Sequence, residues 1–309
     1  MESYKISKVL MPTDFSELTS SAFNVAVGIC KRQNAKLTLL HVVDDMAYLP
    51  STEVMTPTLI ISPEVINSYR NNIEELAIQL TLNAGIAVDG KIEQGNPADS
   101  ICKVASEDKY DLIVMGTHGA SGLREFFIGS NSFRVVKNAT CPVLTVPGNW
   151  TKNTFKKVVF PIRLLPGAID KYEFARPIIE KNISNLLIIG LAEQDKPESL
   201  VELTNLVDLF RFQLSDDNVE FSSILYHSKN FPEKVLEGAD EYDADLIVIT
   251  ANLDYDLKSF FIGPFAQQIV NHSKHPVLSI RAALFDEIFK TINDGIKNMQ
   301  DNYLNLDLA

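Results

Sequence analysis

The sequence has little cysteine, little tryptophan and a deficit of basic side chains. It contains 309 residues, with 28 Lys and Arg against 40 Asp and Glu, for a formal net charge of −12. Such a chain lacks the basic surface that binding to nucleic acid or to an acidic membrane requires. The three cysteines, Cys30, Cys102 and Cys141, are an odd number with apolar neighbours, which predicts reduced, buried thiols. A role as redox sensors is the less favoured alternative, because nothing pairs them in sequence.

Long apolar runs and familiar phosphate-binding motifs are also missing. No segment approaches a membrane-spanning run, and the amino terminus, Met-Glu-Ser-Tyr-Lys, has no signal-peptide layout. These absences predict a cytoplasmic protein without a membrane partner. Neither the Gly-Lys-Ser/Thr of a P-loop nor a Gly-x-Gly-x-x-Gly dinucleotide fingerprint occurs. An anionic ligand would therefore have to be held by main-chain amides and helix starts.

Short apolar runs alternate with segments of helical spacing throughout the first half of the chain. With short connections between them, they predict an α/β fold in which a doubly wound, five-stranded parallel sheet is flanked by helices. Pro12 is expected to stop the first strand. The third strand, 86–93, alternates only partly, which suits a sheet edge. The segment from Asp44 to Pro63 has no period and is expected to be a loop, either a lid over the site or a surface excursion.

One stretch combines a buried strand, a glycine loop and a helix start. Leu112 to Met115 form the apolar strand, and Gly116 and Gly119 follow at its carboxyl end, where glycine lets a ligand approach the bare backbone. Gly129 and Ser130 then come directly before a run of helical spacing, so unpaired amides would point towards the glycines. The stretch predicts an anion site. The alternative is a connection whose glycines only serve tight turns.

The spacing Gly116-x2-Gly119-x9-Gly129-Ser130 resembles the nucleotide-binding signature of the universal stress protein family, whose domains have an adenine nucleotide alpha hydrolase-like fold. The resemblance implies that ATP, or AMP or ADP, is bound, with Mg²⁺ possible alongside the nucleotide. It places Asp14, with Pro12 and Thr13, at the nucleoside, Val42 and Val43 at the adenine, and Met115 and Gly116 at the ribose. The residues that it places at the phosphates are Gly119, Gly129, Ser130, Asn131 and Ser132. His118 would either donate to a phosphate or face the solvent from the loop.

The pattern begins again after a linker at Pro147 to Lys152. Lys157-Val-Val-Phe-Pro161 echoes Lys8-Val-Leu-Met-Pro12 at an offset of 149, and Asp245-Leu-Ile-Val248 echoes Asp111-Leu-Ile-Val114 at an offset of 134. An ordered match of this length is an internal repeat. It predicts one domain over 1–148, a second over 149–283 and a tail over 284–309. The second copy is 15 residues shorter (149 − 134), and we place the loss at its counterpart of the 44–63 loop.

The second copy keeps the signals of the fold and loses those of the site. Leu253 would put a side chain where Gly119 bares the backbone, and Pro264 lacks the amide that Ser130 supplies. We therefore expect no nucleotide to bind beyond about residue 154. The full set of replacements is Asp14 by Arg163, Gly116 by Thr250, Gly119 by Leu253, Ser130 by Pro264 and Ser132 by Ala266, with Gly263 alone retained.

The resemblance also implies how the halves associate. Domains of this family commonly pair through their last strands, so Val143–Val146 is expected to meet Val277–Ile280 as an intramolecular pseudo-dimer. The sequence leaves open whether the chain also forms a homo-oligomer. The tail over 284–309 carries an apolar helical stripe with charges opposite. It would either pack back on its own chain or serve an association with a partner.

Three functions are compatible with these features. The leading one is a regulatory stress-response module in which ATP alters a surface that a partner reads. The second is a slow ATPase or phosphotransferase, for which only Asp14, His118 and Arg124 are placed to contribute. The third is a ligand-free scaffold. No catalytic or metal-binding residue is assigned, because no carboxylate pair marks a metal site and the loop has no lysine.

Overall fold

The computed structural model describes residues 3–16, 20–44, 62–117, 129–165, 167–196, 198–251 and 264–285. Within these ranges, strands and helices alternate in the predicted order. The first half contains β1 (Lys8–Pro12), α1 (Ser20–Gln33), β2 (Lys36–Val43), α2 (Pro63–Ala84), β3 (Val88–Gln94), α3 (Pro97–Glu107), β4 (Leu112–Gly116), α4 (Ser130–Asn138) and β5 (Val143–Val146). The second half contains β6 (Lys157–Arg163), α5 (Lys171–Asn182), β7 (Asn185–Glu193), α6 (Glu198–Asp216), β8 (Phe221–Ser228), α7 (Phe231–Tyr242), β9 (Leu246–Ala251), α8 (Pro264–His272) and β10 (Val277–Arg281).

All of these strands join one sheet in the order β3-β2-β1-β4-β5-β10-β9-β6-β7-β8. Each half supplies five parallel strands, and the order of the second half mirrors that of the first. The predicted α/β class and the doubly wound topology are confirmed. The third strand lies at the edge, as its partial alternation indicated. The two five-stranded sheets join into one ten-stranded sheet.

The junction between the halves is an antiparallel pairing of β5 with β10. Val277 lies opposite Thr145, and Leu278 lies opposite Leu144. This confirms the expected contact between the last strands. The pairing removes one open edge from each half, so neither of these strands presents unpaired amides and carbonyls to another chain.

Two apolar cores cover the two faces of the sheet, and both extend across the junction. One face is covered by α1, α2, α5 and α6, and the other by α3, α4, α7 and α8. The central strands β4 and β9 are buried along their whole length, as strands covered on both faces must be. The halves therefore share each core across the junction between β5 and β10.

The difference in length between the repeats falls where it was predicted. In the first half 19 residues separate β2 from α2 (62 − 43), and in the second half 4 residues separate β7 from α6 (197 − 193). The difference is the 15 residues that the two sequence offsets require. The long connection of the first half lies mostly outside the described residues, at 45–61.

The prediction that Pro12 stops the first strand is wrong. The residue belongs to β1 and lies opposite Leu40 of β2, and the next amide, that of Thr13, donates to the Leu40 carbonyl. The ladder on this side continues because the proline nitrogen points towards β4, and the pairing of β1 with β4 has already ended at Leu10. A missing donor costs nothing where no acceptor faces it.

The linker between the repeats is bound along α1. Ser21 Oγ donates to the Gly148 carbonyl at 2.7 Å, and Asn24 Nδ2 donates to the Thr151 carbonyl at 3.0 Å. A Cβ added to Gly28 would lie 2.9 Å from the Asn153 carbonyl oxygen, so the absent side chain allows this close approach. These contacts fix the path of the chain from one repeat to the next.

The start of the tail packs on the second half. Leu284 and Phe285 are buried, and the Phe285 ring lies 5.9 Å from that of Phe174 in α5. Residues 286–309 are outside the described part, so the amphipathic helix there stays a prediction. Among the residues that the structure describes, no helix combines the length and apolar character needed to cross a membrane.

Candidate functional site

The predicted site lies where the winding of the sheet reverses. β2 and β3 follow on one side of β1, and β4 and β5 on the other. Pairing of β1 with β4 stops at Leu10 and Ile113, so the two strands separate towards their carboxyl ends. Doubly wound sheets bind ligands in the crevice that opens there. Asp14, Val43 and Gly116 all lie at this end of the sheet, although Asp14 and Gly116 are 102 residues apart in sequence (116 − 14).

The loop that carries Asp14 is held by local hydrogen bonds. The Asp14 carboxylate accepts from the Ser16 amide at 3.0 Å and from the Ser16 hydroxyl at 2.6 Å. Thr13 Oγ1 accepts from the Phe15 amide, and Phe15 has a φ of 60°. A non-glycine residue in the left-handed region is uncommon and is kept there by its surroundings. The carboxylate is exposed, and its hydrogen bonds to Ser16 set its orientation.

His41 contacts the same loop through its ring and through a hydrogen bond. Its ring lies between those of Phe15, at 4.7 Å, and Tyr69, at 4.5 Å. Its Nδ1 lies 2.9 Å from the Thr13 carbonyl oxygen, and because a carbonyl only accepts, Nδ1 carries the proton and donates. These contacts give His41 a structural role. The sequence did not indicate the three-ring cluster, because Tyr69 comes from α2.

The end of β4 is tied to the start of α4. The Gly129 amide donates to the Thr117 carbonyl at 2.6 Å, and Ser132 Oγ donates to the Gly116 carbonyl at 2.9 Å. Gly129 caps the helix without a side-chain hydrogen bond. The first amides of a helix have no partners within it, so the amides of residues 130–132 are placed beside the crevice with the positive end of the helix dipole.

The predicted site residues fall into three groups. Ser130, Asn131 and Asp14 are exposed at the crevice. Ser132 is buried, and its hydroxyl connects α4 to β4, which leaves its amide as its available donor. Thr117 was missed by the sequence reasoning, although it directly follows the glycine that was selected. The other described members, Pro12, Thr13, Val42, Val43, Met115, Gly116 and Gly129, line the strand ends and the helix start, while His118 and Gly119 lie outside the described residues.

A stacked arginine lies at the corresponding position of the second half. Arg163 stands at the position of Asp14, at the end of β6. The centre of its guanidinium group lies 4.6 Å from the Phe265 ring and 5.5 Å from the Phe231 ring. Phe231 begins α7 and Phe265 lies in the first turn of α8, so the cation bridges two helix starts. Stacking of this kind stabilises the guanidinium where it is.

The other described replacements in the second half also remove features of the site that is predicted in the first half. Thr250 is buried where the first half has Gly116, and Ala266 is buried without the hydroxyl of Ser132. Pro264 begins α8 and has no amide hydrogen. Leu253, which replaces Gly119, and the retained Gly263 lie outside the described residues.

A buried lysine is the second unusual feature of that half. Lys171 is 2% exposed and replaces Ala22 of the first repeat (171 − 149). Its ammonium group donates to the Pro161 carbonyl at 2.8 Å and to the Ala168 carbonyl at 2.5 Å, and lies 4.1 Å from the Phe160 ring centre. Burial lowers the pKa of Lys171 to about 7, while Asp170 opposes this shift. Nothing in the local sequence indicates that this side chain is buried.

Lys171 should make stability depend on pH. Its folded-state pKa lies below the ordinary value of 10.5, so the unfolded chain binds more protons above pH 7 and this group's contribution to stability increases with pH. Between pH 7 and pH 8.5 the wild type should gain about 1.5 kcal/mol relative to Lys171→Met. Urea denaturation of both proteins at each pH measures this. If the difference in unfolding free energy between the two proteins does not change with pH, the lowered pKa of Lys171 is contradicted.

The three cysteines are free thiols, and Cys30 and Cys141 are buried. Burial raises the pKa of Cys30 to about 12 and that of Cys102 to about 11, and it also raises the pKa of Cys141. Because the thiolate is the reactive form, these shifts favour a structural role over redox sensing. In the described ranges, no three His, Cys, Asp or Glu side chains gather into a group that could hold a metal ion.

The fold and this crevice define the class: an α/β protein of two doubly wound repeats, with a crevice at the switch point of the first. The family model described as "Universal stress protein family" matches residues 5–147 and 189–281. The chain belongs to the universal stress protein family. The universal stress protein YxiE of Bacillus subtilis is 32% identical over 147 residues, which are 98% of that protein and 45% of this chain.

Two further proteins are similar to this chain. A putative universal stress protein of Staphylococcus aureus is 35% identical over 153 residues, covering 47% of this chain and 86% of that protein. The crystal structure of a universal stress protein from Archaeoglobus fulgidus covers 89% of this chain and 98% of its own, with a TM-score of 0.69 at 20% identity. The first two relatives match one repeat each, and the third has the fold of the whole chain.

The family match to the second repeat is incomplete. It begins at residue 189, inside β7, although the fold of the repeat begins earlier with β6 and α5. The unmatched part contains both Arg163 and Lys171.

Proposed function

We propose that this protein is a regulatory stress-response module that binds ATP or another adenine nucleotide in its first repeat only. The observation that supports the proposal most strongly is the contrast between the two crevices. In the first repeat an exposed carboxylate, Asp14, and the start of α4 border a crevice at the switch point. In the second repeat Arg163 lies across the same position, stacked on two aromatic rings.

The first crevice has groups that suit the parts of a nucleotide. A carboxylate at Asp14 can accept from a ribose hydroxyl or the adenine amine. Val42 and Val43 supply apolar surface at the end of β2. The amides of residues 130–132 supply donors for phosphates at the positive end of α4. In a chain with a net charge of −12, such local donors are the means of holding an anion, and Mg²⁺ arriving with ATP would reduce the remaining repulsion.

A thermal melt of the full chain tests the proposal. ATP that binds only the folded state must raise the melting temperature, and the rise should grow with the logarithm of ATP concentration above the dissociation constant. AMP and ADP, run in parallel, rank the contribution of the phosphates. An unchanged melting temperature at millimolar ATP contradicts nucleotide binding and favours the ligand-free scaffold.

The alternative function is slow ATP hydrolysis or phosphoryl transfer in the same crevice. Hydrolysis requires a group that orients water and charge that stabilises the transferring phosphate. Of the three residues placed to contribute, Asp14 already accepts two hydrogen bonds from Ser16, while His118 and Arg124 lie outside the described residues. A single-turnover assay with labelled ATP separates the two functions: release of intact ATP supports the regulatory module, and conversion faster than release supports the enzyme.

We also propose that the protein works in the cytoplasm, which its three free thiols support. Its second repeat would serve as a built-in dimerisation partner, since β10 occupies the edge of β5. In this proposal the nucleotide changes the surface of the first repeat, and a partner that recognises this surface carries the signal.

A further inference from the structure

Arg281 of the second repeat contacts the helix whose other end borders the proposed site. It is the last residue of β10, and its Nη1 donates to the carbonyls of Asn138, at 3.1 Å, and Ala139, at 3.0 Å. Asn138 is the last residue of α4, and Ala139 caps it. The contact joins residues that are more than 140 positions apart, and it crosses the junction between the repeats.

The chemistry of this contact suits a helix end. The last carbonyls of a helix have no partners within it and carry the negative end of the dipole. A guanidinium that donates to two of them satisfies both and adds a favourable charge interaction. α4 has 9 residues, a length at which a helix depends on its tertiary contacts.

Side-chain hydrogen bonds hold α4 at its start, in its middle and at its end, and the bonds at its end come from the second repeat. At its start, Ser132 donates to the Gly116 carbonyl. In its middle, Arg134 donates to Asn96 and to both carboxylate oxygens of Asp99 on α3. At its end, Arg281 holds the last carbonyls. The helix start and its amides are therefore positioned partly by the second repeat.

The arrangement is not reciprocal. Arg281 corresponds to Pro147 of the first repeat (281 − 134), and proline has no cation with which to cap α8. The first repeat, which carries the proposed site, thus receives this support from the second repeat. This asymmetry is unexpected for a contact that only joins two equivalent domains.

We infer that Arg281 is a positioning residue for the nucleotide site, through which the second repeat fixes α4 before the ligand binds. The inference rests on the proposed function. A helix that is already fixed does not have to be ordered by the nucleotide, and this saving increases affinity. Removing the guanidinium should therefore weaken ATP binding although Arg281 does not touch the crevice.

The experiment compares full-length wild type, Arg281→Ala, Arg281→Lys and Arg211→Ala. Arg211 makes an exposed ion pair with Asp208 on α6 and is the control. Calorimetry should show ATP binding about threefold to tenfold weaker in Arg281→Ala, most of it restored by lysine, and unchanged in the control. Hydrogen exchange without nucleotide should be faster in α4 of Arg281→Ala and unchanged in β6 and β7. Arg281→Gln provides both readouts if the alanine variant does not fold.

The two readouts separate the possible failures. If the wild type binds ATP and Arg281→Ala binds it equally well, the inference is wrong. It is also wrong if exchange rises equally in both repeats and lysine restores nothing, because the residue then only stabilises the whole fold. If the wild type binds no nucleotide, the proposed function fails, and unchanged exchange in α4 of Arg281→Ala would overturn the positioning role as well.

Discussion

A Ser130→Pro variant is expected to fold and to bind ATP about 10- to 100-fold more weakly than the wild type. The substitution places in the first repeat the residue that the second repeat has at Pro264. It removes one amide donor from the start of α4. A hydrogen bond to a charged group contributes about 1.5–3 kcal/mol, which corresponds to this range of affinities. Calorimetric titration of the full chain with ATP measures the loss.

The backbone of the first repeat can accept this proline. Gly129, the preceding residue, has φ −60° and ψ 150°, which is the extended conformation that a residue before proline prefers. Ser130 is the first residue of α4, where proline is tolerated because its amide has no partner within the helix. Its side chain is exposed among the described residues, which leaves room for the proline ring.

Ser130→Ala is the matched control, because it removes the hydroxyl and keeps the amide. It should bind ATP within about threefold of the wild type if the main chain supplies the contact. Equal losses in both variants would assign the contact to the hydroxyl. A proline variant that binds ATP as the wild type does would show that this amide does not meet the ligand.

Asp245→Ala should lower the stability of the protein by about 3 kcal/mol. The side chain of Asp245 is 6% exposed. One carboxylate oxygen accepts from the amides of Lys156, at 2.7 Å, and Lys157, at 3.0 Å, and the other accepts from Lys152 Nζ at 2.8 Å. Alanine leaves these donors without an acceptor at the start of β6. In a thermal melt the loss corresponds to a decrease of about 6 °C.

Asp111 provides the matched comparison from the first repeat. Its carboxylate accepts from the amides of Ser7 and Lys8, at 2.7 and 2.8 Å, in the same position relative to β1. These bonds are more exposed, and water can replace them. Asp111→Ala should therefore lower stability by about 1 kcal/mol. An equal effect at both positions would show that burial does not set the size of the loss.

The repeats explain why so much of the fold could be predicted. The alternation of apolar and helical segments is a local signal, and the two offsets located both the shortened connection and the strands that pair at the junction. Gly116 and the helix start were found in the same way, since they are adjacent to a strand with a clear pattern. The pairing of β5 with β10 followed from the resemblance to the family.

Other features depend on contacts that local patterns do not contain. Pro12 continues its strand because of where the pairing with β4 ends, which only the sheet shows. Arg281 reaches α4 across the junction, and Arg163 meets its two rings only after α7 and α8 have packed. Lys171 looks like an ordinary residue at a helix start, although it is buried. Each of these depends on segments that are distant in sequence.

We expect the full-length protein to bind one ATP per chain, in a site that the first repeat alone supplies. Calorimetric titration of the intact wild type with ATP in the presence of Mg²⁺ measures the stoichiometry directly. We expect a single site with a dissociation constant on the order of micromolar, typical of a modest ligand affinity. Two sites per chain would contradict the loss of function in the second repeat, and no binding at all would contradict the nucleotide site itself.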